Sequence, residues 1–272
     1  LFFSRNLTDI SYLLPCLVVF MAFSLIASGI YCFNDILDVE ADRRHPLKCK
    51  RPIASGALSI RSGYLIMNLC FIVGLGMIGC FHSVICELGE VIFSLVLYLI
   101  LNFFYCLRLK HKPIIDVFII ATGFVLRVMV GGYATGIWLS EWMVLMTFLL
   151  ALFLAFAKRR DDVVMYEKTG MVMRKNTVRY NVDFMNSTLC IIASITIVCY
   201  ILYTVSSEVT QRMGSRYIYL TSIFVLAGII RYLQLTLVDI KSGSPTKVLM
   251  KDRFIQMCII GWLFMFAVLL YM

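Results

Sequence analysis

Eight apolar runs, each roughly 17–24 residues long, recur along this chain. A helix of that length crosses the ~30 Å of hydrocarbon in a bilayer. Inside hydrocarbon each backbone N–H and C=O must find its partner within the segment, which helices provide. The runs are read at 12–33, 63–81, 90–107, 113–136, 138–157, 187–205, 217–235 and 254–272. The expected fold is therefore an all-α polytopic membrane protein, with the spans packed as a single domain over residues 1–272. A mean hydropathy of +0.89 and a charged fraction of only 15% exclude an ordinary soluble globular domain.

Lys and Arg are not spread evenly over the connections. Residues 34–62 hold six, 108–112 three, 158–186 seven and 231–253 five, which is 21 of the 25. The alternate connections 82–89 and 136–141 hold none. By the positive-inside rule the basic connections face the cytoplasm. The net charge of +9 is then a topological signal rather than a nucleic-acid one. Anionic headgroups or an anionic substrate could use the same surface. The ten cysteines show no C-x-x-C spacing and lie mostly in apolar runs, so neither disulfides nor zinc are expected.

The densest charge stands where the first span ends. There the chain reads Tyr31-Cys32-Phe33-Asn34-Asp35-Ile36-Leu37-Asp38-Val39-Glu40-Ala41-Asp42, followed by Arg43, Arg44, His45, Pro46, Lys48, Lys50, Arg51 and Pro52. In a helix, Asn34, Asp38 and Asp42 stand at i, i+4, i+8, and Asp35 lies beside them. One face then presents three carboxylates and an amide, which repel one another unless a cation neutralises them. A solvated loop of mixed charge is the bland alternative, but the helical register and the position at a membrane exit favour a site. Hard oxygen ligands suit Mg²⁺, which keeps waters and recruits substrate phosphates. The basic residues downstream suit the same phosphates.

Other groups are weaker signals. Lys158-Arg159-Arg160-Asp161-Asp162 opens a second charged loop that continues to Thr169-Gly170, Arg174 and Lys175. Lys158, Arg159, Arg174 and Lys175 are candidates to grip phosphate and Asp162 to orient a hydroxyl or water. For any one of them, anchoring at the membrane face is an equal explanation. The two long charged loops suggest two half-sites. Asp116 and Arg127 lie in one span, eleven residues apart and on roughly one face, with Lys110, Tyr105 and Asn102 just before them. Ionisable groups at membrane depth are costly and so are candidates for function, although Arg127 could serve as a buried structural ion-pair member. The last charged connection, with Asp239, Lys247, Lys251 and Asp252, is explained by headgroup anchoring. No P-loop, G-x-S-x-G or HExxH occurs, which weakens ATPase and hydrolase readings.

Asn34-Asp35-x-x-Asp38-x-x-x-Asp42 at a span exit resembles the first aspartate-rich motif of the UbiA superfamily of intramembrane prenyltransferases. Asp42-Arg43-Arg44-His45-Pro46-x-Lys48-x-x-Arg51-Pro52-Ile53-Ala54-Ser55-Gly56 narrows the likeness to the polyprenyl-phosphate phosphoribosyltransferase branch, typified by decaprenyl-phosphate phosphoribosyltransferase. Leu109-Lys110-His111, Gly123 to Arg127, Gly131-Gly132, Lys158-Arg159, Thr169-Gly170, Arg174-Lys175 and Asp252-Arg253 resemble the same branch in order. The family usually has nine spans. Since this chain starts at Leu1, a ninth span and a basic segment are expected ahead of it. One departure stands out: quinone-type members carry a second D-x-x-x-D, and residues 158–186 contain none.

The resemblance implies a UbiA-like helix bundle in a bacterial inner membrane, with its site facing the cytoplasm, and trimers in some members. It also implies transfer of a 5-phosphoribosyl group from phosphoribosyl diphosphate to a polyprenyl phosphate, with diphosphate released, for cell-envelope glycan precursors. Asn34 and Asp38 would hold Mg²⁺, with Asp35 and Asp42 in support. Lys48, Arg51, Lys110 and Arg127 would offset charge on the diphosphate. Lys158, Arg159, Arg174 and Lys175 would hold the other phosphates, and Tyr31 and Tyr105 would hydrogen-bond the donor. Two alternatives stay open: a UbiA-type aromatic prenyltransferase of quinone biosynthesis, and a membrane transporter with a cation site.

Overall fold

The computed structural model describes residues 6, 8–44, 48–170, 177–240 and 244–271. Among them, eight helices are long and apolar enough to cross a membrane, and the all-α polytopic expectation holds. The chain forms two compact units, Leu1–Leu139 and Ser140–Met272.

The first unit contains α1 (Ile10–Leu37), the short α2 (Val39–Arg43), α3 (Ile60–Cys80), α4 (Leu88–Leu107) and α5 (Ile115–Thr135). The side chains of Asp9 and Ser59 accept hydrogen bonds from Ser11 and Ser62 N–H and so cap α1 and α3. Gly136, at φ 66°, closes α5 in the left-handed conformation that glycine adopts without penalty. Ala22, Ile26, Val91, Leu95, Leu126 and Val130 are buried together at the centre of this unit. Leu65, Ile72 and Phe93 point outward and are well exposed. Apolar residues on both faces are what a lipid surround requires.

Between helices in lipid, close packing replaces the hydrophobic drive. Gly74 on α3 shows how close. A Cβ there would lie 2.9 Å from Ile26 Cγ1 and 3.0 Å from the Ala22 carbonyl oxygen, both on α1. Hydroxyls within the spans are satisfied locally: Ser28 donates to the Ser24 carbonyl at 2.8 Å and Thr122 to the Phe118 carbonyl at 2.9 Å.

The second unit contains α6 (Glu141–Thr169), α7 (Val182–Val205), α8 (Ser207–Met213), α9 (Ser222–Leu237), α10 (Pro245–Lys251) and α11 (Arg253–Tyr271). Here one expected boundary is corrected. The sequence places a loop from 158, yet α6 continues to Thr169 and stops at Gly170, φ 68°. The continuation is charged but is made of good helix formers, and Arg159, Arg160, Val163 and Val164 on it are buried.

Arg160 explains much of that burial. Its Nε donates to Asn186 Oδ1 at 2.6 Å, and its Nη atoms donate to the carbonyls of Thr236 and Leu237. Those carbonyls belong to the last turn of α9, where no helical donor remains for them. Elsewhere in the unit, Trp262 Nε1 donates to the Tyr200 hydroxyl at 2.6 Å, which meets Thr221 Oγ1 at 2.8 Å. Arg231 grips Asp252 Oδ2 at 2.7 and 3.1 Å, while Asp252 Oδ1 accepts from Ile255 N–H and caps α11. The hydrogen bond from Arg231 is the main cause holding the Asp252 carboxyl below the usual carboxylate range.

Two stability measurements follow. Gly74→Ala should push α1 from α3 and lower thermal stability in detergent by about 1–3 kcal/mol. Gly76→Ala, with open space around the added methyl, should be neutral or slightly stabilising. Equal effects at the two positions would reject close packing as the reason for Gly74. Arg160→Met leaves two helix-end carbonyls and the Asn186 amide oxygen without their donor, so the melting temperature should fall by the equivalent of about 1–3 kcal/mol per buried acceptor.

Candidate active site

The acidic cluster is built on one nearly continuous helical path. α1 ends at Leu37, and α2 resumes at Val39. Asp38, between them at φ −93° and ψ 4°, sits in the bridge region. Asp38 N–H still donates to the Asn34 carbonyl at 3.0 Å, and Asp42 N–H donates to the Asp38 carbonyl at 2.8 Å. The expected i, i+4, i+8 register therefore survives a local break in the helix.

The segment after the cluster folds back on it. Ile36, Val39 and Ile53 bury one another, with Leu58 against them. Gly63 on α3 makes room, since a Cβ there would lie 2.9 Å from Ile53 Cδ1. Apolar packing of this kind brings Arg51 back over the carboxylates. Its Nη1 donates to Asp35 Oδ1 at 2.7 Å and to Asp42 Oδ2 at 2.8 Å. A single nitrogen bridges two carboxylates, and Asp42 is almost fully buried.

A second cation comes from the end of α4. Lys110 lies on the tight turn Leu109–His111 and is only 6% exposed. Its Nζ is 2.5 Å from Asp38 Oδ1 and 3.3 Å from Asn34 Oδ1. The turn then passes Pro113 to Ile114, which adopts φ 67° and ψ −51°. Ile115 N–H donates across it to the Pro113 carbonyl at 2.7 Å. This is a γ-turn of the strained hand, and a β-branched residue with positive φ costs of order 1–3 kcal/mol. It starts α5, whose first turn buries Asp116 completely.

Deeper in the unit, the Arg127 guanidinium lies over three rings, 5.5 Å from the centroid of Phe23, 5.8 Å from Tyr98 and 5.1 Å from Phe124. Its Nη2 donates to the Tyr98 hydroxyl at 3.3 Å. Its Nε is buried without a hydrogen-bond partner among the described residues. Tyr98, an aromatic inside an apolar run, was not singled out by sequence reasoning; only its polar tip distinguishes it from a core residue.

The structure thus assembles Asn34, Asp35, Asp38, Asp42, Arg51 and Lys110 around one helix end, while Tyr31 on α1 is exposed. Lys48 lies half-buried on the turn Lys48–Lys50, and Tyr105 packs against the apolar centre of the unit. In the second unit, Lys158 is exposed, while Arg159 is buried and pairs with Asp162 at 3.5 Å within one helical turn. Arg174 and Lys175 lie outside the described residues. Arg160, which sequence reasoning passed over, is bound to helix ends.

Chemically, the cluster is a cation-binding oxygen surface flanked by fixed positive charge. Asn34 and Asp38 already converge on one cation, the Lys110 ammonium. The side chains of Asp35 and Asp38 remain 26% and 27% exposed. A ligand can therefore reach the cluster. Two protein oxygens leave most of a hard cation's shell for phosphate and water. Among the described residues, no group of three or more His, Cys, Asp or Glu is gathered as a complete protein-made metal site.

The chain is 30% identical over 280 residues to a decaprenyl-phosphate phosphoribosyltransferase of Corynebacterium glutamicum, covering 100% of this chain and 78% of that protein. It is 31% identical over 255 residues to the Mycolicibacterium smegmatis protein of the same name, covering 90% and 77%. Among solved structures, a UbiA homologue from Archaeoglobus fulgidus bound to DMAPP and Mg²⁺ superposes with a TM-score of 0.69. That match covers 98% of this chain and 92% of the archaeal one at 17% identity, and so speaks for the fold alone. The family model described as the UbiA prenyltransferase family matches residues 4–257. With its Asp-rich helix end, its eight spans and these matches, the chain belongs to the UbiA prenyltransferase family of membrane transferases.

Proposed function

We propose that this transferase moves the 5-phosphoribosyl group of phosphoribosyl diphosphate onto a polyprenyl phosphate of the decaprenyl class. The bond from ribose C1 to the diphosphate oxygen breaks, a bond from C1 to a lipid phosphate oxygen forms, and diphosphate leaves. The observation that carries the reading is the match, over the whole of this chain at 30% identity, to a protein named decaprenyl-phosphate phosphoribosyltransferase. The missing D-x-x-x-D in residues 158–186 argues in the same direction. The excess of Lys and Arg on the connection that carries the acidic cluster supports a site facing the cytoplasm, in a bacterial inner membrane.

Asn34 and Asp38 would hold Mg²⁺, in keeping with their convergence on a cation. Bound Mg²⁺ would supply Lewis-acid stabilisation of the departing diphosphate. Arg51 bridges Asp35 and Asp42 and would present the rest of its guanidinium to the donor. Lys110 lies where it can meet the diphosphate as negative charge builds on it. Arg127 and Tyr31 offer a further anion contact. The lipid phosphate is already anionic, so attack at C1 needs no strong general base. Lys158 and Arg159, with Arg174 and Lys175, would hold another phosphate. The product would be a precursor of cell-envelope glycans.

The test uses purified protein in detergent, Mg²⁺, a short-chain polyprenyl phosphate and radiolabelled phosphoribosyl diphosphate. Label should enter the organic phase with Mg²⁺ and stay out with chelator. Asp38→Ala should remain folded yet lose at least about 10²-fold in rate. Diphosphate release from a prenyl diphosphate and an aromatic acceptor, with no label transfer, would move the chain to the quinone-type branch.

A further inference from the structure

The cations around the acidic cluster are divided in a telling way. Arg51 takes Asp35 and Asp42, and neither Asn34 nor Asp38 is among its bonded partners. Lys110 takes Asn34 and Asp38, the two oxygens assigned to the metal above. Metal ligands at such a site stand ~2.0–2.1 Å from Mg²⁺. Lys110 Nζ is 2.5 Å from Asp38 Oδ1, so the ammonium occupies the space into which that oxygen would point at a metal. Two positive centres cannot share it, because the repulsion between them is strong in a site this enclosed.

We propose that Lys110 is the resident counter-ion of the Asn34–Asp38 pair and yields it only when a metal arrives together with diphosphate. This inference rests on the reading of the cluster as a metal–diphosphate site. Without diphosphate, a metal must displace a buried ammonium from both Asn34 and Asp38. With diphosphate, the displaced Nζ gains phosphate oxygens as acceptors, and the exchange becomes favourable. The cluster is then neutral enough to stay folded when empty, and free divalent cation alone does not fill it. Metal and donor bind as a unit. The turn that carries Lys110 is suited to this because it is short and is followed at once by the strained Ile114. The backbone is fixed there, and the exchange falls to the flexible side chain. A purely structural Lys110–Asp38 tie would hold the helix ends together but would not link metal affinity to diphosphate.

The experiment measures Mn²⁺ binding to the purified full chain by electron paramagnetic resonance of the free ion, with and without inorganic pyrophosphate. Mn²⁺–pyrophosphate binding in solution is subtracted with protein-free controls. The wild type should bind Mn²⁺ weakly alone and at least tenfold more tightly with pyrophosphate. Lys110→Met should bind Mn²⁺ tightly without pyrophosphate, and the tenfold gain should shrink to within about twofold. Lys110→Arg, which keeps a cation, should retain weak binding in the absence of pyrophosphate. Lys110→Gln gives the same reading if the Met variant does not fold. Asp38→Ala should abolish tight binding in every case. A Lys110→Met protein that binds Mn²⁺ no more tightly than wild type, with the pyrophosphate gain intact, overturns the role of Lys110 while leaving the metal–diphosphate reading in place. A wild type that never binds Mn²⁺ tightly, even with pyrophosphate, overturns that reading and this inference together.

Discussion

Three carboxylates cannot stand within two turns of a helix end beside hydrocarbon unless cations meet them. Much of the first unit is arranged to satisfy that demand. The fold-back of the chain onto Ile36 and Val39 exists locally to bring Arg51 over Asp35 and Asp42. The tight turn after α4 delivers Lys110 to Asp38. The strained turn at Ile114 follows at once and starts α5. An isolated ion pair at a surface contributes little. Here removal of either cation would leave a partly desolvated carboxylate, which is the costly case.

What could be read in advance follows from which interactions are local. Span existence depends on apolar length, and the eight runs appear as eight helices. The register of Asn34, Asp38 and Asp42 depends on the helical repeat, and it persists through the break at Asp38. The partners of these residues were hidden because they are far along the chain. Asp42 and Asp35 lie 9 and 16 residues from Arg51, and Asp38 lies 72 from Lys110. Basic residues near an acidic motif suggest phosphate binding, and nothing in their spacing tells which of them neutralise carboxylates in the resting protein.

The end of α6 failed to show for a different reason. Hydropathy treats a run of charge as the end of a span, and Lys158 to Asp162 is such a run. Lys, Arg and Glu are nevertheless good helix formers. Arg160 has acceptors waiting on α7 and at the end of α9, so its burial is compensated. Charge along a helix is compatible with burial when each donor meets an acceptor, and a one-dimensional hydropathy profile carries no information about acceptors.

The two buried arginines, Arg127 and Arg160, make the contrast that bears on function. Arg160 directs Nε and both Nη nitrogens at an amide oxygen and two carbonyls. Those partners satisfy its donors and leave it little to offer an incoming anion. Arg127 is held mainly by ring faces, with the Tyr98 hydroxyl beside it and its Nε unpartnered among the described residues. Aromatic quadrupoles attract a guanidinium, by about 0.5–2 kcal/mol each, without neutralising it. No carboxylate is paired with Arg127 among the described residues. Its charge is stabilised but not cancelled. A phosphate reaching this depth would meet a nearly full positive charge, whereas the same phosphate at Arg160 would have to break three existing hydrogen bonds. The chain thus uses one kind of side chain for two tasks, and the difference lies in whether its partners are oxygens or rings.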